Sequence, residues 1–138
     1  MAHTTAALVL MSVLGTAPAW AADAPSPYAQ PQADQGHQMF NNRCAQCHRP
    51  DLSGALGPPL VGAPFLSKWG GKSVVELMRF EHDNMPANSP GSMSDTDVAT
   101  VTAYILSRNG VTAGSVPLSA ATAAAIVLPP SEHATGHP

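Results

Sequence analysis

Five consecutive residues, Cys44-Ala45-Gln46-Cys47-His48, contain both cysteines of the 138-residue chain and a histidine directly after the second one. The spacing C-x-x-C-H is the attachment signature of c-type haem. Each thiol adds to one vinyl group of the porphyrin, and two intervening residues let one helical turn present both sulfurs to the ring edge. The histidine beside the second thioether then lies beneath the iron as its proximal ligand. The motif therefore predicts one covalently attached haem.

Three other uses of a cysteine pair compete with haem attachment. A thioredoxin-like dithiol expects a βαβ pattern around the motif, and nothing in this sequence resembles that pattern. A structural zinc site needs two further ligands, and the candidates His82, His133 and His137 are scattered along the chain. A disulfide between Cys44 and Cys47 would close a very small loop and stabilise little. The motif and its context together favour haem.

The first residues have the pattern of an export signal. An apolar stretch at residues 6–14 is followed by Ala19-Trp20-Ala21, which fits the small-x-small pattern of a cleavage site. Before the stretch there is His3 but no lysine or arginine, so an uncleaved membrane anchor is the alternative. Because the stretch is too short to span a bilayer, we expect cleavage after Ala21 and a periplasmic mature protein without a membrane span.

Charge and composition narrow the range of partners. All 6 basic and 9 acidic residues follow Ala21, so the mature chain keeps the formal charge of −3. Lys68 and Lys72 are the only lysines in the sequence. So few basic residues argue against nucleic-acid binding. Aromatic residues make up 5% of the chain, so a buried haem would supply much of the apolar core that a domain of this size needs.

Breaker residues divide the first half of the mature chain. Residues 22–33 are rich in Ala, Pro and Gln and predict a flexible leader. A helix is expected from about Asp34 into the haem motif, with Gly36 and Phe40 on one face. Gly36 is either a flexible position at the end of the leader or the site of a close helix–helix crossing. Residues 49–64 contain four prolines and three glycines and predict a loop.

Capping signals mark two further helices. The run S-V-V-E at 73–76 is a capping box, and the helix that it opens should end before Pro86. The run S-D-T-D at 94–97 opens another helix, which Asn109-Gly110 should end. No strand pattern and no internal repeat is evident, so an all-α fold is expected. Residues 111–138 follow as an almost uncharged C-terminal extension.

Residues 34–110 resemble class I cytochromes c. Besides C-x-x-C-H, the resemblance rests on Gly57-Pro58-Pro59-Leu60, which is similar to the family's G-P-x-L, and on Met85-Pro86, which matches its distal ligand segment. A narrower likeness, to the monohaem cytochromes and cytochrome domains of periplasmic quinoprotein alcohol dehydrogenases, rests on residues 84–94, 103–110 and 113–114. The resemblance implies the class I fold, in which short helices surround one covalent haem.

The resemblance also implies roles for individual residues. Cys44 and Cys47 would form the thioethers, and His48 would be the proximal iron ligand. The carbonyl of Pro58 would accept a hydrogen bond from the free N–H of that histidine and fix its ring, although an ordinary loop proline is an alternative. Trp69 would border a haem propionate, or would simply be a core tryptophan. Contacts between the first and last helices would come from Gly36, Phe40, Val101 and Tyr104.

Three methionines that follow the motif compete to be the distal ligand. Met78 lies in the apolar stripe of a predicted helix and is expected in the core. Met93 precedes the last helix, where the family usually has an apolar residue. Met85 lies in a loop before Pro86, where the backbone can bring its sulfur to the iron, and it matches the family's ligand. A thioether favours ferrous iron and raises the reduction potential. Met85 is the predicted ligand, with Met93 and then His82 as alternatives.

These features predict a monohaem cytochrome c that carries single electrons and is not an enzyme. Its donor would be a periplasmic dehydrogenase, of the quinoprotein type in the narrower resemblance, and its acceptor an oxidase or another cytochrome. An apolar rim of Pro58, Ala63, Pro86 and Ala87 around the haem edge would suit short-lived contacts. Two alternatives stay open. A labile distal ligand would permit gas or peroxide binding, and residues 111–130 would either dock the protein permanently on a dehydrogenase or form a strap across its own surface.

Overall fold

The computed structural model describes residues 27–131, so the predicted export signal, His133 and His137 lie outside the described residues. No β-strand occurs within residues 27–131, and two isolated β-bridges are the extended pairings found there. No helix in this part of the chain is long and apolar enough to cross a membrane. The predicted all-α fold is confirmed. The helices are α1 (Gln30–Arg43), α2 (Ala45–His48), α3 (Gly62–Trp69), α4 (Val74–Asn84), α5 (Asp95–Arg108) and α6 (Ala120–Ala123).

The first helix begins at Gln30, about one turn before the predicted start at Asp34. Pro31 lies in its first turn, where a proline loses nothing because the missing N–H has no partner within the helix. Tyr28 precedes the helix and is buried, and its hydroxyl donates a hydrogen bond to the carbonyl of Val111. The prediction of a flexible leader up to residue 33 is therefore wrong for residues 28–33, which belong to the packed domain.

Helices α1 and α5 cross closely at Gly36. A Cβ at this position would overlap the carbonyl oxygen of Thr100 and lie 2.9 Å from the Cβ of Tyr104. Phe40, one turn further along α1, is fully buried, and its ring centroid is 5.4 Å from that of Tyr104. Of the two interpretations of Gly36, the close helix–helix crossing is therefore the one that the structure supports.

Helices α4 and α5 begin and end as their capping signals predict. Ser73 and Glu76 form the capping box of α4, and Ser94 and Asp97 form that of α5. Helix α4 ends at Asn84, before the proline that was expected to stop it. Gly110 follows the end of α5 with a φ of +77°, a left-handed conformation that glycine adopts at little cost.

The first three residues of α3 lie at the end of the region 49–64 that was predicted to be a loop. Residues 62–69 are helical, whereas residues 49–61 are irregular as expected. The prediction failed because Pro64 lies in the first turn of α3, where its missing N–H costs no hydrogen bond. The buried side chains of α3 are Phe65, Leu66 and Trp69, and they direct one face of the helix to the core.

Residues 111–131, which we call the C-terminal strap, lie along the body of the domain. The N–H of Val74 donates to the carbonyl of Ile126 at 2.8 Å, and the N–H of Leu128 donates to the carbonyl of Lys72 at 2.9 Å. These bonds attach the strap to the start of α4. Of the two alternatives for this segment, the strap across the protein's own surface is therefore formed. Its buried side chains are Leu118, Ala123, Ile126 and Leu128.

Candidate haem-binding site

A cavity of about 920 Å³ is enclosed by residues of α1 to α5 and of the two irregular segments 49–61 and 85–94. Most of its lining is apolar, as expected for a site that takes a large organic group. The predicted site residues come from four parts of the chain, namely the haem motif, segment 49–61, α3 and segment 85–94, so tertiary packing brings them to one place. All six of these residues line the cavity: Cys44, Cys47, His48, Pro58, Trp69 and Met85.

The imidazole of His48 is held in one tautomer. The side chain is buried, and its Nδ1 lies 2.8 Å from the carbonyl oxygen of Pro58. A carbonyl oxygen only accepts, so Nδ1 carries the proton and Nε2 has a free lone pair for a metal. A Cβ at Gly57 would lie 2.5 Å from Cε1 of this ring, so only glycine lets the loop approach the imidazole. The hydrogen bond that the resemblance implies is present.

The loop beside His48 is fastened to the end of α5 by Asn109. The Nδ2 of this side chain donates to the carbonyls of Leu60 and Ile105, each at 2.9 Å. Its Oδ1 accepts a hydrogen bond of 3.0 Å from the N–H of Gly62, at the start of α3. Sequence reasoning recognised Asn109 only as a helix stop. The structure shows that its side chain also positions the segment that carries Pro58.

Cys44 and Cys47 are free thiols, with Cys44 directly before α2 and Cys47 within it. The carbonyl of Cys44 accepts hydrogen bonds from the N–H of Cys47 at 3.1 Å and of His48 at 2.9 Å, so this turn is helical. Burial, followed by the charge of Glu81, raises the pKa of the Cys44 thiol to about 11. Both sulfurs are partly buried at the cavity, and neither cysteine forms a disulfide.

Trp69 lines the cavity and is also part of the core. Its ring is packed edge-on against Phe80, with 5.3 Å between the centroids. The Nζ of Lys68 lies 4.4 Å from the centroid of Phe80 and 5.2 Å from that of Trp69. Lys68 therefore brings a positive charge to the same part of the cavity. The role of Trp69 beside a propionate stays a prediction.

The methionines fall into two groups. Met78 is buried and does not line the cavity, as expected for a core residue. Met85 and Met93 both line it, Met85 half-buried and Met93 buried. His82 does not line the cavity, and its Nδ1 is 3.1 Å from a carboxylate oxygen of Asp83. Two thioethers are thus available to one iron, and Met85 stays the predicted ligand.

Sequence reasoning missed Glu81, a buried acid on α4 that lines the cavity. Thr102 on α5 donates a hydrogen bond to its carboxyl group. Burial raises the pKa of Glu81 to about 8, which the bond from Thr102 opposes. A signal was present in the sequence: Glu81 is seven residues after Val74 and four after Leu77, so it continues the apolar stripe of the helix.

These residues fit a haem c. Two free thiols, an imidazole with an unprotonated Nε2 and two thioethers surround an apolar cavity, and each is a group that haem c uses. A haem bound there would supply the one-electron chemistry of its iron.

Comparison with known proteins agrees with this fit. The family model described as cytochrome c oxidase, cbb3-type, subunit III matches residues 31–105, more than half of the chain. The chain belongs to this cytochrome c family. A crystal structure of the sulfane dehydrogenase SoxCD from Paracoccus pantotrophus has a similar fold, with a TM-score of 0.61 and 22% identity over 93% of this chain and 72% of that chain. Among curated proteins none matches the sequence.

The cytochrome therefore has the class I fold that residues 34–110 predicted. Cytochromes c transfer electrons, and that general function comes with the family. Because the identity with SoxCD is 22%, this similarity shows a shared fold and does not by itself show a shared function. The narrower resemblance to quinoprotein-associated cytochromes stays a prediction.

Proposed function

We propose that this cytochrome c is a periplasmic electron carrier with one covalent haem. It would accept single electrons from a dehydrogenase and pass them to an oxidase or another cytochrome. One observation carries the proposal: the haem-motif residues Cys44, Cys47 and His48 line a single apolar cavity together with Met85, which lies far from the motif along the chain. Export is part of the proposal because haem c is attached outside the cytoplasm, and it rests on the signal pattern before Ala21.

The residues divide the task of holding the haem. Cys44 and Cys47 would anchor it through thioether bonds, and His48 would bind the iron through Nε2 while Nδ1 donates to Pro58. Met85 would bind the iron through its thioether sulfur. If His48 and Met85 both bind the iron, no substrate would bind it, so the protein would carry electrons rather than catalyse a reaction.

A dehydrogenase is the proposed donor for two reasons. Residues 84–94 resemble the corresponding segment of cytochromes that serve quinoprotein alcohol dehydrogenases. In addition, the crystal structure of similar fold is that of a sulfane dehydrogenase. Neither reason identifies the substrate of the donor, so the quinoprotein type is the narrower form of the proposal.

The rim of the cavity offers an apolar contact surface. Leu56 is 86% exposed and lines the cavity, as do Pro58, Pro86 and Ala87. Ala63, which was expected on this rim, is exposed and does not line the cavity, whereas its neighbour Pro64 does. Exposed apolar residues at the mouth of a redox site suit contacts that form and break quickly.

The proposal is tested on the mature protein from a host that attaches haem c. After acid–acetone extraction, the mass should equal that of the chain from residue 22 onward plus one haem, and the colour should stay with the protein. A Cys44→Ala, Cys47→Ala double variant should retain no haem. Colour that leaves with the solvent would contradict covalent attachment.

Carbon monoxide separates an electron carrier from a gas- or peroxide-binding protein. If Met85 closes the distal position, the visible spectrum of the reduced protein should not change under carbon monoxide. A rapid and complete change would support the alternative of a labile distal ligand.

A further inference from the structure

The side-chain amide of Asn109 is held in one orientation by three hydrogen bonds. Its Nδ2 donates to the carbonyls of Leu60 and Ile105, each at 2.9 Å. Its Oδ1 accepts a bond of 3.0 Å from the N–H of Gly62. Carbonyl oxygens only accept and an N–H only donates, so a flipped amide would break all three bonds. The site therefore requires a side chain that carries both an NH₂ group and a carbonyl oxygen.

Asn109 is itself attached to a well-packed helix. Its backbone N–H donates to the carbonyls of Ile105 and Leu106, at 3.2 and 3.0 Å. Both of these residues are buried in the core, and their helix α5 packs closely against α1 at Gly36. The amide of Asn109 thus connects whatever it binds to the main helix pair of the domain.

The position of Pro58 depends on the bonds that hold the chain on either side of it. Residues 49–61, the proximal loop, contain Pro58 and a second proline directly after it, and neither has an N–H to donate. Before this pair, the N–H of Gly57 donates a bond of 2.9 Å to the haem motif. After the pair, the carbonyl of Leu60 accepts the bond from Asn109. Asn109 therefore fixes the far side of the segment that carries the Pro58 carbonyl.

The Pro58 carbonyl is the group that the proximal imidazole contacts. Its oxygen lies 2.8 Å from Nδ1 of His48, within the normal range of an N–H···O hydrogen bond. Such a bond from one ring nitrogen makes the other nitrogen a stronger electron donor to a metal. A stronger donor favours ferric over ferrous iron, so the strength of this hydrogen bond bears on the reduction potential.

We propose that Asn109 is a positioning residue for the proximal iron ligand: by holding the proximal loop to α5, it keeps the carbonyl of Pro58 against the imidazole of His48 and so lowers the reduction potential. The inference rests on the proposed function, since a potential requires a bound haem. Without the three bonds, the segment after Pro58 is free to move away from His48. The hydrogen bond from Nδ1 then weakens, Nε2 becomes a weaker donor, and the ferrous state is favoured.

The test compares Asn109→Leu with the wild type, both as haem-containing protein. Leucine is close to asparagine in size and has no hydrogen-bonding side-chain group, so it removes the three bonds without adding a charge. The reduction potential should rise. In NMR spectra of the reduced protein, the Nδ1–H of His48 should exchange with solvent about tenfold faster, the factor expected from a net loss of one or two hydrogen bonds.

Tyr28→Phe is the matched control. The hydroxyl of Tyr28 donates to the carbonyl of Val111 at 2.7 Å, two residues beyond Asn109. This variant therefore removes a hydrogen bond at the same end of α5 without touching the proximal loop, and it should keep the wild-type potential and exchange rate. A rise in potential of the same size in both variants would show that the potential responds to any loosening of this helix end, and would overturn the inference.

A measurement on the wild type keeps the test decisive if Asn109→Leu does not take up haem. Exchange of the Gly62 N–H reports the opening of the Asn109 bonds, and exchange of the His48 Nδ1–H reports loss of the bond to Pro58. If the first bonds maintain the second, both protons should exchange through one opening, with equal opening free energies at several low denaturant concentrations. A Gly62 N–H that opens far more easily than the Nδ1–H of His48 would overturn the inference.

The two proposals fail differently. A wild type without a reversible one-electron haem couple would contradict the proposed function itself. A reversible couple with the same potential and the same His48 exchange rate in Asn109→Leu would leave the electron carrier intact. Asn109 would then stabilise the end of α5 without acting on the proximal ligand.

Discussion

The proximal and distal sides of the cavity differ in how firmly hydrogen bonds hold their irregular segments to the helices. On the proximal side, residues 49–61 are tied to the haem motif by backbone bonds from Gly54 to His48, at 3.0 Å, and from Gly57 to Cys47, at 2.9 Å. Asn109 adds the link to α5. On the distal side, the backbone bonds of residues 85–93 stay local.

Two of these local bonds show the contrast. The N–H of Ser89 donates to the carbonyl of Pro86 at 2.8 Å, and the N–H of Gly91 donates to the carbonyl of His82 at 3.0 Å. Both connect the distal segment to itself or to the end of α4, whereas the proximal loop is held from two helices. The protein thus positions the proximal imidazole by its own hydrogen bonds. The distal sulfur would be positioned in large part by its bond to iron.

A matched pair of glycine variants should give the largest difference between the two sides. Gly57→Ala would push a Cβ to 2.5 Å from the His48 ring, so we expect holoprotein to be lost. Gly91→Ala meets no atom within 4 Å and costs only the strain of a positive φ, about 1 kcal/mol. Haem content per purified protein measures both. Equal yields would show that the proximal loop adapts as easily as the distal one.

The distal side should also make stability depend on pH through Glu81. Burial raises the pKa of Glu81 from 4.5 to about 8, so between these values the folded protein binds more protons than the unfolded chain. The stabilisation is present below pH 4.5 and is lost as the pH rises through about 8, by up to about 5 kcal/mol. Denaturant titrations of the holoprotein at several pH values measure this slope. Glu81→Gln should remove it, and an unchanged slope would place the titrating group elsewhere.

Two asparagine variants compare the hydrogen bonds that Asn109 makes to the proximal loop with the bond that Asn84 makes beside the distal segment. Asn109→Ala removes three hydrogen bonds and should lower the free energy of unfolding by about 3 kcal/mol. Asn84→Ala, next to the distal segment, removes one exposed bond to the carbonyl of Phe80 and should cost at most about 1 kcal/mol. Chemical denaturation measures both. Similar losses would mean that the hydrogen bonds of Asn109 contribute little to the free energy of unfolding.

Methionine variants test which sulfur the distal segment supplies. Met85→Ala should abolish the far-red charge-transfer band of the oxidised protein, admit exogenous ligands and lower the potential by on the order of 0.1 V. Met93→Ala removes the other cavity thioether and should leave the band in place, although it is more buried and costs more stability. Loss of the band in Met93→Ala alone would reverse the assignment.

The smallest effect is expected at the cavity rim, which the two sides share. Leu56→Ala should slow electron transfer from a reduced quinoprotein dehydrogenase by a few-fold, because Leu56 belongs to the apolar contact surface. Val127→Ala is the control, since Val127 is 62% exposed on the strap and does not line the cavity. Added salt should slow the wild type only modestly, because the chain has few lysines. Stopped-flow reduction at low and high salt measures both, and a steep salt dependence would refute apolar docking.

What the sequence determined by itself is short-range. The haem motif is five consecutive residues, and the starts of α4 and α5 are capping boxes in which Ser73 and Ser94 bond to residues three positions away. The stop at Asn109-Gly110 is equally local. Such signals can be recognised in the sequence because their interacting groups lie within a few residues of each other.

Tertiary structure decided the features that depend on what packs against a residue. From the sequence, Pro31 and Pro64 predicted irregular segments, whereas in the structure each lies in the first turn of a helix. Met78, Met85 and Met93 were all candidate ligands in the sequence, and only the structure shows that Met85 and Met93 line the cavity whereas Met78 does not. Glu81 is a surface residue type on an apolar stripe, and its raised pKa comes from burial among α4, α5 and the cavity. Burial is a property of distant segments that meet, so spacing along the chain does not reveal it.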